Sequence, residues 1–246
     1  MIREPIRISI ITISFNSERT IERTIKSVID QDYCNIEYII IDGNSTDNTL
    51  SIINTFDSNS FLLKSENDKG ISDAFNKGID LCTGDLIAFL NADDWYVNKN
   101  IISLIVQNYV DQNTIICGSI RLMSEIQSEL KILHSIPSKL NKGMYVLHPT
   151  CFVPIELIRK VGYFNKNFKI AMDFDLFVRM KLVNANFRVL PILITNMQAG
   201  GISYNYKQMA KEELIVKNTY FGKRLTHYFY FYFTISLYKL RTLFKN

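Results

Sequence analysis

This sequence predicts an α/β fold built on a single, Rossmann-like, mainly parallel sheet flanked by helices, on two observations. Short runs rich in β-branched residues alternate with stretches of helical periodicity through the first half of the chain, the pattern of strands joined by crossover helices. Acids and small polar residues gather where those runs end: Asp42 after one, and Asn91, Ala92, Asp93 and Asp94 after another. Ligands of such sheets bind outside the carboxyl ends of the strands, so the two clusters are expected to face one crevice. Adjacent carboxylates repel, and a cluster of them calls for a cation or a titratable pair.

The elements follow in order. Arg7 to Ser14 reads as a buried strand; Asn16 or Ser17 then caps a helix with Ile21, Ile25, Val28 and Ile29 on one face. Glu37 to Asp42 is the second strand, and Gly43 to Asp47 supplies residues able to cap the next helix. A short strand near Phe61 to Lys64 precedes a helix that aligns Ile71, Phe75, Ile79 and Cys82. Thr83-Gly84 ends that helix, and Asp85 to Leu90 forms the next strand. An apolar helix is expected from Asn98 to Val110, then strands near Thr114 to Leu122, Glu129 to His134 and His148 to Val153. Pro154 opens a helix, Asp173 to Val183 is a helix beginning with two acids, and Phe187 to Ile194 is a strand.

Composition narrows the function. The chain has 246 residues, 47% hydrophobic and 21% charged, ordinary for a globular protein. Of its 28 Lys and Arg, 8 lie from Lys207 onward beside only 2 acids, so the rest of the chain is net negative. Nucleic-acid binding is not expected, because the basic residues cluster with an aromatic apolar run. Cys34, Cys82, Cys117 and Cys151 form no Cys-x-x-Cys pair and are expected to be free thiols. The apolar stretch Ile8 to Ile13 is interrupted and lacks a small-residue cleavage site, which points to a cytoplasmic protein.

With these pieces placed, five segments occur in order: Ile13-Ser14-Phe15-Asn16; Ile41 to Thr49 (IDGNSTDNT); Asp68-Lys69-Gly70 with Asn76-Lys77-Gly78; Asn91-Ala92-Asp93-Asp94; and Asp173-Phe174-Asp175-Leu176. Together they resemble the family 2 glycosyltransferases, inverting enzymes of the GT-A fold, particularly bacterial ones that build surface polysaccharides. The resemblance covers roughly the first two hundred residues, hence a GT-A domain over residues 1–204 and a helical extension over 205–246. It implies a nucleotide-sugar donor, a UDP-sugar by family frequency, with Asp42 at the nucleobase, Ser14 and Asn16 nearby, and Asp68 and Asn76 shaping the same pocket. The acidic cluster matches the family's Asp-x-Asp motif except that Asn91 stands at the first acid. Asn91 can still bond a ribose hydroxyl, and Asp93 is the implied ligand of Mn²⁺ or Mg²⁺, which completes its octahedron with phosphate oxygens and water. Asp94 either supports that site or is a turn acid stabilising the following helix.

Sugar transfer builds oxocarbenium character at C1 and charge on the leaving diphosphate, as in the related transition states of glycoside hydrolysis. A carboxylate on the opposite face must take the proton of the attacking hydroxyl. Asp173 aligns with the acid the family uses as base, with Met172 where another acid is usual. Asp175, two residues on, is turned about 200° away on a helix and cannot share that task. His148 is placed to meet the acceptor, the diphosphate or the metal, or to be a structural histidine. Gly201, within Gly200-Gly201-Ile202-Ser203, either closes over the diphosphate or serves a turn. A sugar nucleotidyltransferase would need a Gly-rich phosphate loop with a basic residue near the N-terminus, which Ser14-Phe15-Asn16-Ser17 does not offer. A noncatalytic nucleotide-sugar-binding protein is the competing reading, motivated by Asn91 and Met172.

Leu225 to Tyr238 (LTHYFYFYFTISLY) has no Lys, Arg, Asp or Glu and is dense in aromatics. It is shorter than the roughly 20 apolar residues of a spanning helix. Lys223 and Arg224 precede it and Lys239, Arg241 and Lys245 follow, a composition suited to an anionic membrane interface. The expectation is peripheral attachment to the cytoplasmic face of the inner membrane, where a lipid-linked saccharide acceptor would share the surface. Packing on the catalytic domain or on a partner subunit is the alternative.

Overall fold

The computed structural model of the protein describes residues 5–200 and 205–243, with side chains described as far as residue 236. Strands are β1 (Ile8–Ser14), β2 (Ile36–Asp42), β3 (Leu62–Ser65), β4 (Leu86–Asn91), β5 (Trp95–Tyr96), β6 (Thr114–Met123), β7 (Glu129–His134), β8 (Phe152–Pro154) and β9 (Asn186–Gln198). Helices are α1 (Ile21–Ile29), α2 (Thr49–Ile53), α3 (Ile71–Leu81), α4 (Ile101–Gln107), α5 (Ile155–Val161), α6 (Met172–Leu182), α7 (Tyr206–Phe221) and α8 (Leu225–Leu243). The sheet order is β3-β2-β1-β4-β8-β6-β9-β5, with β7 pairing to β6. β1 pairs in parallel with both β2 and β4, β2 with β3, and β6 with β9. The short β8 and β5 and the β7 hairpin join antiparallel.

Period-two alternation divides the buried side chains between two faces. Ile8, Ile10, Tyr38, Ile40, Leu86 and Leu90 pack with Ile21 and Ile25 of α1 and Ile101, Ile102 and Ile105 of α4. Ile11, Ile39, Ile41, Ile87 and Phe89 pack with Phe75 of α3, Ile158 of α5, Phe174 and Phe177 of α6 and Val216 of α7. The three-layer arrangement explains why β1, β2 and β4 are nearly continuous apolar runs: both of their faces are covered, and each fully buried Ile contributes roughly 1.5–3 kcal/mol.

Several expectations are corrected. Neither Asn16 nor Ser17 caps α1, which starts after Thr20 without a side-chain cap bond. Asn16 instead adopts a left-handed conformation at φ 49°, which Asn tolerates better than most residues, and turns the chain at the end of β1. His148 to Thr150 is a 3₁₀ turn rather than a strand, because Pro149 favours the start of a turn. α4 is shorter than expected, and β9 runs past Ile194 to Gln198. Pro191 falls where the β6–β9 register shifts, the place in a sheet that tolerates a missing N–H.

α7 begins the predicted extension yet is part of the main body: Val216 is fully buried in the core with α6, and Tyr220 Oη donates to Asp175 at 2.9 Å. α8 lies on α7, where Lys217 sits 4.2 Å from the Tyr230 ring centroid and Asn218 bonds Tyr228 and His227. Among the described residues no helix is long and apolar enough to cross a membrane.

Candidate active site

The carboxyl ends of the parallel strands are set in a row by register. Ser14 is opposite Asp42, Asp42 is opposite Ser65, and Ile13 is opposite Asn91. Ser14 Oγ and Ser65 Oγ donate to Asp42 at 3.0 and 2.8 Å, and the backbone N–H of Ser45 donates at 2.9 Å. Asp42, expected at the nucleobase, is fully buried and lies behind the cleft wall rather than on it. Its carboxylate is satisfied by hydroxyl and amide donors from three segments, so it fixes the loops that form the wall. Asn76 is likewise buried behind the wall. Its amide donates to Phe164 O and accepts from Phe164 N, both at 2.9 Å, which ties α3 to the segment before α6.

A cleft of about 1210 Å³ opens above this row, and Ser14, Asn16, Asp68, Asn91, Asp93, Asp94, His148 and Asp173 all line it. That volume exceeds the roughly 300–1,000 Å³ of a single-ligand pocket and leaves room for two substrates. Asn16 Oδ1 accepts from Thr46 N at 2.9 Å, and Asp68 Oδ1 accepts from Gly70 N at 2.8 Å. A Cβ on Gly43 would lie 2.5 Å from Asp68 Oδ2 and 3.3 Å from Phe15 Cδ2, so a larger residue here would displace the Asp68 carboxylate from its place on the cleft. Phe15 itself is 61% exposed in the cleft. Gly201 lies outside the described residues, next to Gly200, which lines the cleft.

The acidic turn at the end of β4 is latched by α1, which the sequence did not indicate. Thr24 Oγ1 meets the carbonyls of Ala92 and Asp94 at 2.9 and 2.7 Å, and Arg23 Nη2 donates to Asp93 O at 3.2 Å. The Arg23 guanidinium lies 3.4 Å from the Trp95 ring centroid. The only available signal was a threonine on the apolar stripe of α1; nothing distinguished Arg23 from an ordinary surface cation. Burial raises the Asp93 pKa, with Arg23 opposing. Burial first and Asp93 second push that of Asp94 well above the carboxylate range. Asp94 Oδ2 accepts from Asn91 Nδ2 at 3.1 Å, while Asp94 Oδ1 is buried without a partner.

Among the described residues no group of three or more His, Cys, Asp or Glu could hold a metal ion alone. Two crowded carboxylates with an orphaned buried oxygen nevertheless fit a hard divalent ion that takes its remaining ligands from a bound diphosphate and water. Asp93 and Asp94 would hold it.

Asp173 stands at the start of α6, half-buried, with Oδ1 accepting from Phe174 N at 2.7 Å. Its pKa is pushed up to about 7 by burial, with Glu213 and Glu212 of α7 adding repulsion. Asp175 points elsewhere: it accepts from Arg179 Nε at 2.9 Å and from Tyr220 Oη. His148 stacks on Phe89 at 5.2 Å and meets Phe75, Phe164 and Phe177 edge-on. Its Nε2 is buried without a partner, and burial lowers its pKa to about 4. The folded protein therefore binds no proton here between about pH 6.5 and 4, whereas the unfolded chain does. Stability is lost as pH falls through that window, by roughly 3 kcal/mol from this group. Urea titrations at pH 7 and 4.5 are expected to show a smaller acid loss in His148→Gln than in the wild type.

Comparisons with known proteins agree with this geometry. The Glycosyl transferase family 2 profile matches residues 9–156. An uncharacterized glycosyltransferase of Mycobacterium tuberculosis, Rv1514c, is 32% identical over 181 residues, covering 72% of this chain and 69% of its own. The Escherichia coli UDP-Glc:alpha-D-GlcNAc-diphosphoundecaprenol beta-1,3-glucosyltransferase WfaP is 27% identical over 217 residues, covering 86% of both chains. Among solved structures, S. aureus TarS 1-349 in complex with UDP superposes with TM-score 0.64 at 20% identity, over 87% of this chain and 64% of that one. The Pyrobaculum calidifontis mannosyltransferase PcManGT, in complex with GDP-Man and Mn2+, gives 0.66 at 16% identity, over 88% and 64%. This chain spans less than two thirds of either structure. A parallel sheet with its acidic turn and a carboxylate across one cleft, the matching profile and the GT-A architecture of these neighbours lead to one assignment: the chain belongs to glycosyltransferase family 2.

Proposed function

We propose that the protein is an inverting, divalent-metal-dependent glycosyltransferase. It moves a sugar from a UDP-sugar to a hydroxyl of a lipid-linked saccharide in bacterial surface-polysaccharide synthesis. One observation carries the reading: Asp93 and Asp173, far apart in sequence, line the same two-substrate cleft. Phe15, exposed beside Asn16 and Asp68, offers a face on which a nucleobase stacks. A divalent ion, when bound at Asp93 and Asp94, neutralises charge on the leaving diphosphate. As the acceptor oxygen forms its bond to C1, the C1–O bond to the diphosphate breaks on the opposite face, and the acceptor proton passes to Asp173. The nucleoside diphosphate leaves.

The names of two relatives support donor and acceptor class: WfaP and WfgD are both described as glucosyltransferases from UDP-Glc to alpha-D-GlcNAc-diphosphoundecaprenol. The test is a thermal-shift screen of UDP-, GDP-, dTDP- and CMP-sugars with and without Mn²⁺, followed by transfer to a synthetic lipid-linked GlcNAc. A Mn²⁺-dependent shift with UDP-sugars and a new glycoside are expected; no shift with any donor overturns the reading.

The lipid-linked acceptor fits a peripheral membrane position for α8. This helix has two faces: His227, Tyr230, Phe231 and Thr234 turn toward α7, while Leu225, Phe229, Tyr232 and Phe233 are 90%, 75%, 64% and 51% exposed. The second set follows helical spacing and forms an apolar stripe beside Lys223 and Arg224, matched to an anionic interface at the cytoplasmic face of the inner membrane. Phe229→Glu with Phe233→Glu leaves the α7-facing residues in place and is expected to lower binding to phosphatidylglycerol vesicles at least tenfold in a flotation assay. Unchanged flotation would contradict the membrane role.

A further inference from the structure

α6 carries the base, yet it begins without a cap of its own: Ala171 at the N-cap position makes no side-chain hydrogen bond. The first N–H groups of a helix need acceptors. Here the N–H of the cap residue Ala171 and those of the two residues before it are met from α7. Glu212 Oε2 accepts from Ile170 N at 2.8 Å, Ala171 N at 2.9 Å and Lys169 N at 3.2 Å, and Oε1 accepts from Lys169 N at 3.1 Å. Gln208 Nε2 donates to Oε1 at 2.7 Å and fixes the carboxylate from behind. Glu212 is only 2% exposed. Lys217, on the same helix, is occupied by the neighbouring Glu213 at 3.0 Å, so the charge on Glu212 is met by backbone amides and by the positive end of α6.

A buried carboxylate is a costly acceptor for three backbone amides, since its desolvation must be offset by the bonds it makes. Its position suggests what it adds. Ile170, Met172 and Asp173 line the cleft together, so the backbone that Glu212 grips is the wall from which the base projects. We propose that Glu212 is a positioning residue for sugar transfer: by gripping the N–H groups of Lys169, Ile170 and Ala171 it fixes the start of α6 so that Asp173 faces the acceptor hydroxyl. Productive geometry tolerates only about 0.5 Å of error, and a grip from a second helix supplies that constraint. The inference rests on the reading of Asp173 as base. It lies outside residues 9–156, where the family profile matches.

Glu212 also acts through its charge. Burial would raise its pKa, but the bonds from Ala171, Gln208, Ile170 and Lys169 outweigh that and hold it low, so it is ionised. The groups facing Asp173 are Glu212 and Glu213 from α7, with Lys217 paired to Glu213, the Cys151 thiol ahead of β8, and neutral His148 on the cleft wall. Removing the Glu212 charge lowers the Asp173 pKa.

The test compares full-length wild type with Glu212→Gln, Glu212→Asp and Asp173→Asn, measuring kcat, donor Kd and the pH dependence of kcat. Glu212→Gln is expected to lower kcat at least tenfold at unchanged donor Kd and to move the acid limb to lower pH. Glu212→Asp keeps the charge but loses reach, so kcat falls at least fivefold with the limb in place. It reports even where the glutamine variant fails to fold. Wild-type kcat in either variant overturns the proposal. So does a loss of kcat in the glutamine variant that tracks donor affinity and leaves the limb unmoved, the result of a purely structural cap. If Asp173→Asn retains turnover, the base assignment itself fails; if it is inactive while Glu212→Gln is normal, only the positioning role fails.

Discussion

Asp173→Asn is expected to reduce transfer by roughly 10²–10⁴-fold, the usual contribution of a general base, while donor affinity stays within twofold. The asparagine keeps an oxygen for Phe174 N, which donates to Asp173 Oδ1 in the wild type, so geometry survives while the proton acceptor is lost. In the wild type kcat should fall about tenfold per unit below pH 7, because the Asp173 pKa is about 7 and only the ionised form accepts a proton. The substitution has a second signature. A carboxyl whose folded pKa exceeds its ordinary value of 3.8 favours folding below that value, and the benefit is lost as pH rises through 7. At pH 8 the wild type bears the whole penalty and the asparagine variant bears none. Solvent in the cleft reduces the effect, leaving a gain of about 2 kcal/mol for the variant at pH 8 and none near pH 3. Thermal melts at the two pH values check it. A variant that is inactive yet more stable is what a functional site held under electrostatic strain predicts; loss of activity with equal loss of stability at pH 8 would place Asp173 among structural residues.

The strands were legible because β1, β2 and β4 are covered on both faces and so appear as uninterrupted Ile-rich runs. Register then carries Ser14, Asp42 and Asn91 to one edge without any long-range information in the sequence beyond strand order. What a single chain cannot display is which polar groups are spent on one another. Asp42 and Asn76 have the residue types of ligand contacts, but serine hydroxyls and the Phe164 backbone consume them. Arg23 and Glu212 show the opposite failure. Each is a charged residue on a helix, where a solvated position is the ordinary expectation, and each is drawn inward by backbone groups, at Asp93 and at residues 169–171. The tail was legible as interfacial by composition, but the division of α8 into an α7-facing side and an exposed stripe emerges only with the Lys217–Tyr230 contact.

Asp93→Ala is expected to abolish metal-dependent donor binding and to lower transfer by roughly 10²–10³-fold, the scale seen when one charge-stabilising group is removed from a transition state. The argument is electrostatic. Asn91 already leaves the turn one acid short of its family pattern, and Arg23 places a cation beside the two acids that remain. Alanine at position 93 would leave the turn with Asp94, which burial already pushes toward its neutral form, beside the Arg23 cation, with no surplus negative charge to attract a divalent ion. Mn²⁺ titration followed by electron paramagnetic resonance, with and without UDP, reads this directly: the wild type should bind Mn²⁺ more tightly when UDP is present, and the variant should lose that increment. Asn91→Asp makes the converse case. It replaces the amide that donates to Asp94 Oδ2 at 3.1 Å with a third like charge, so the metal-free protein should melt lower while Mn²⁺ affinity rises. If Asp93→Ala retains the UDP-dependent increment and Asn91→Asp gains none, the acidic turn is not where the ion is held, and the charge on the leaving diphosphate must be met by groups elsewhere on the cleft wall.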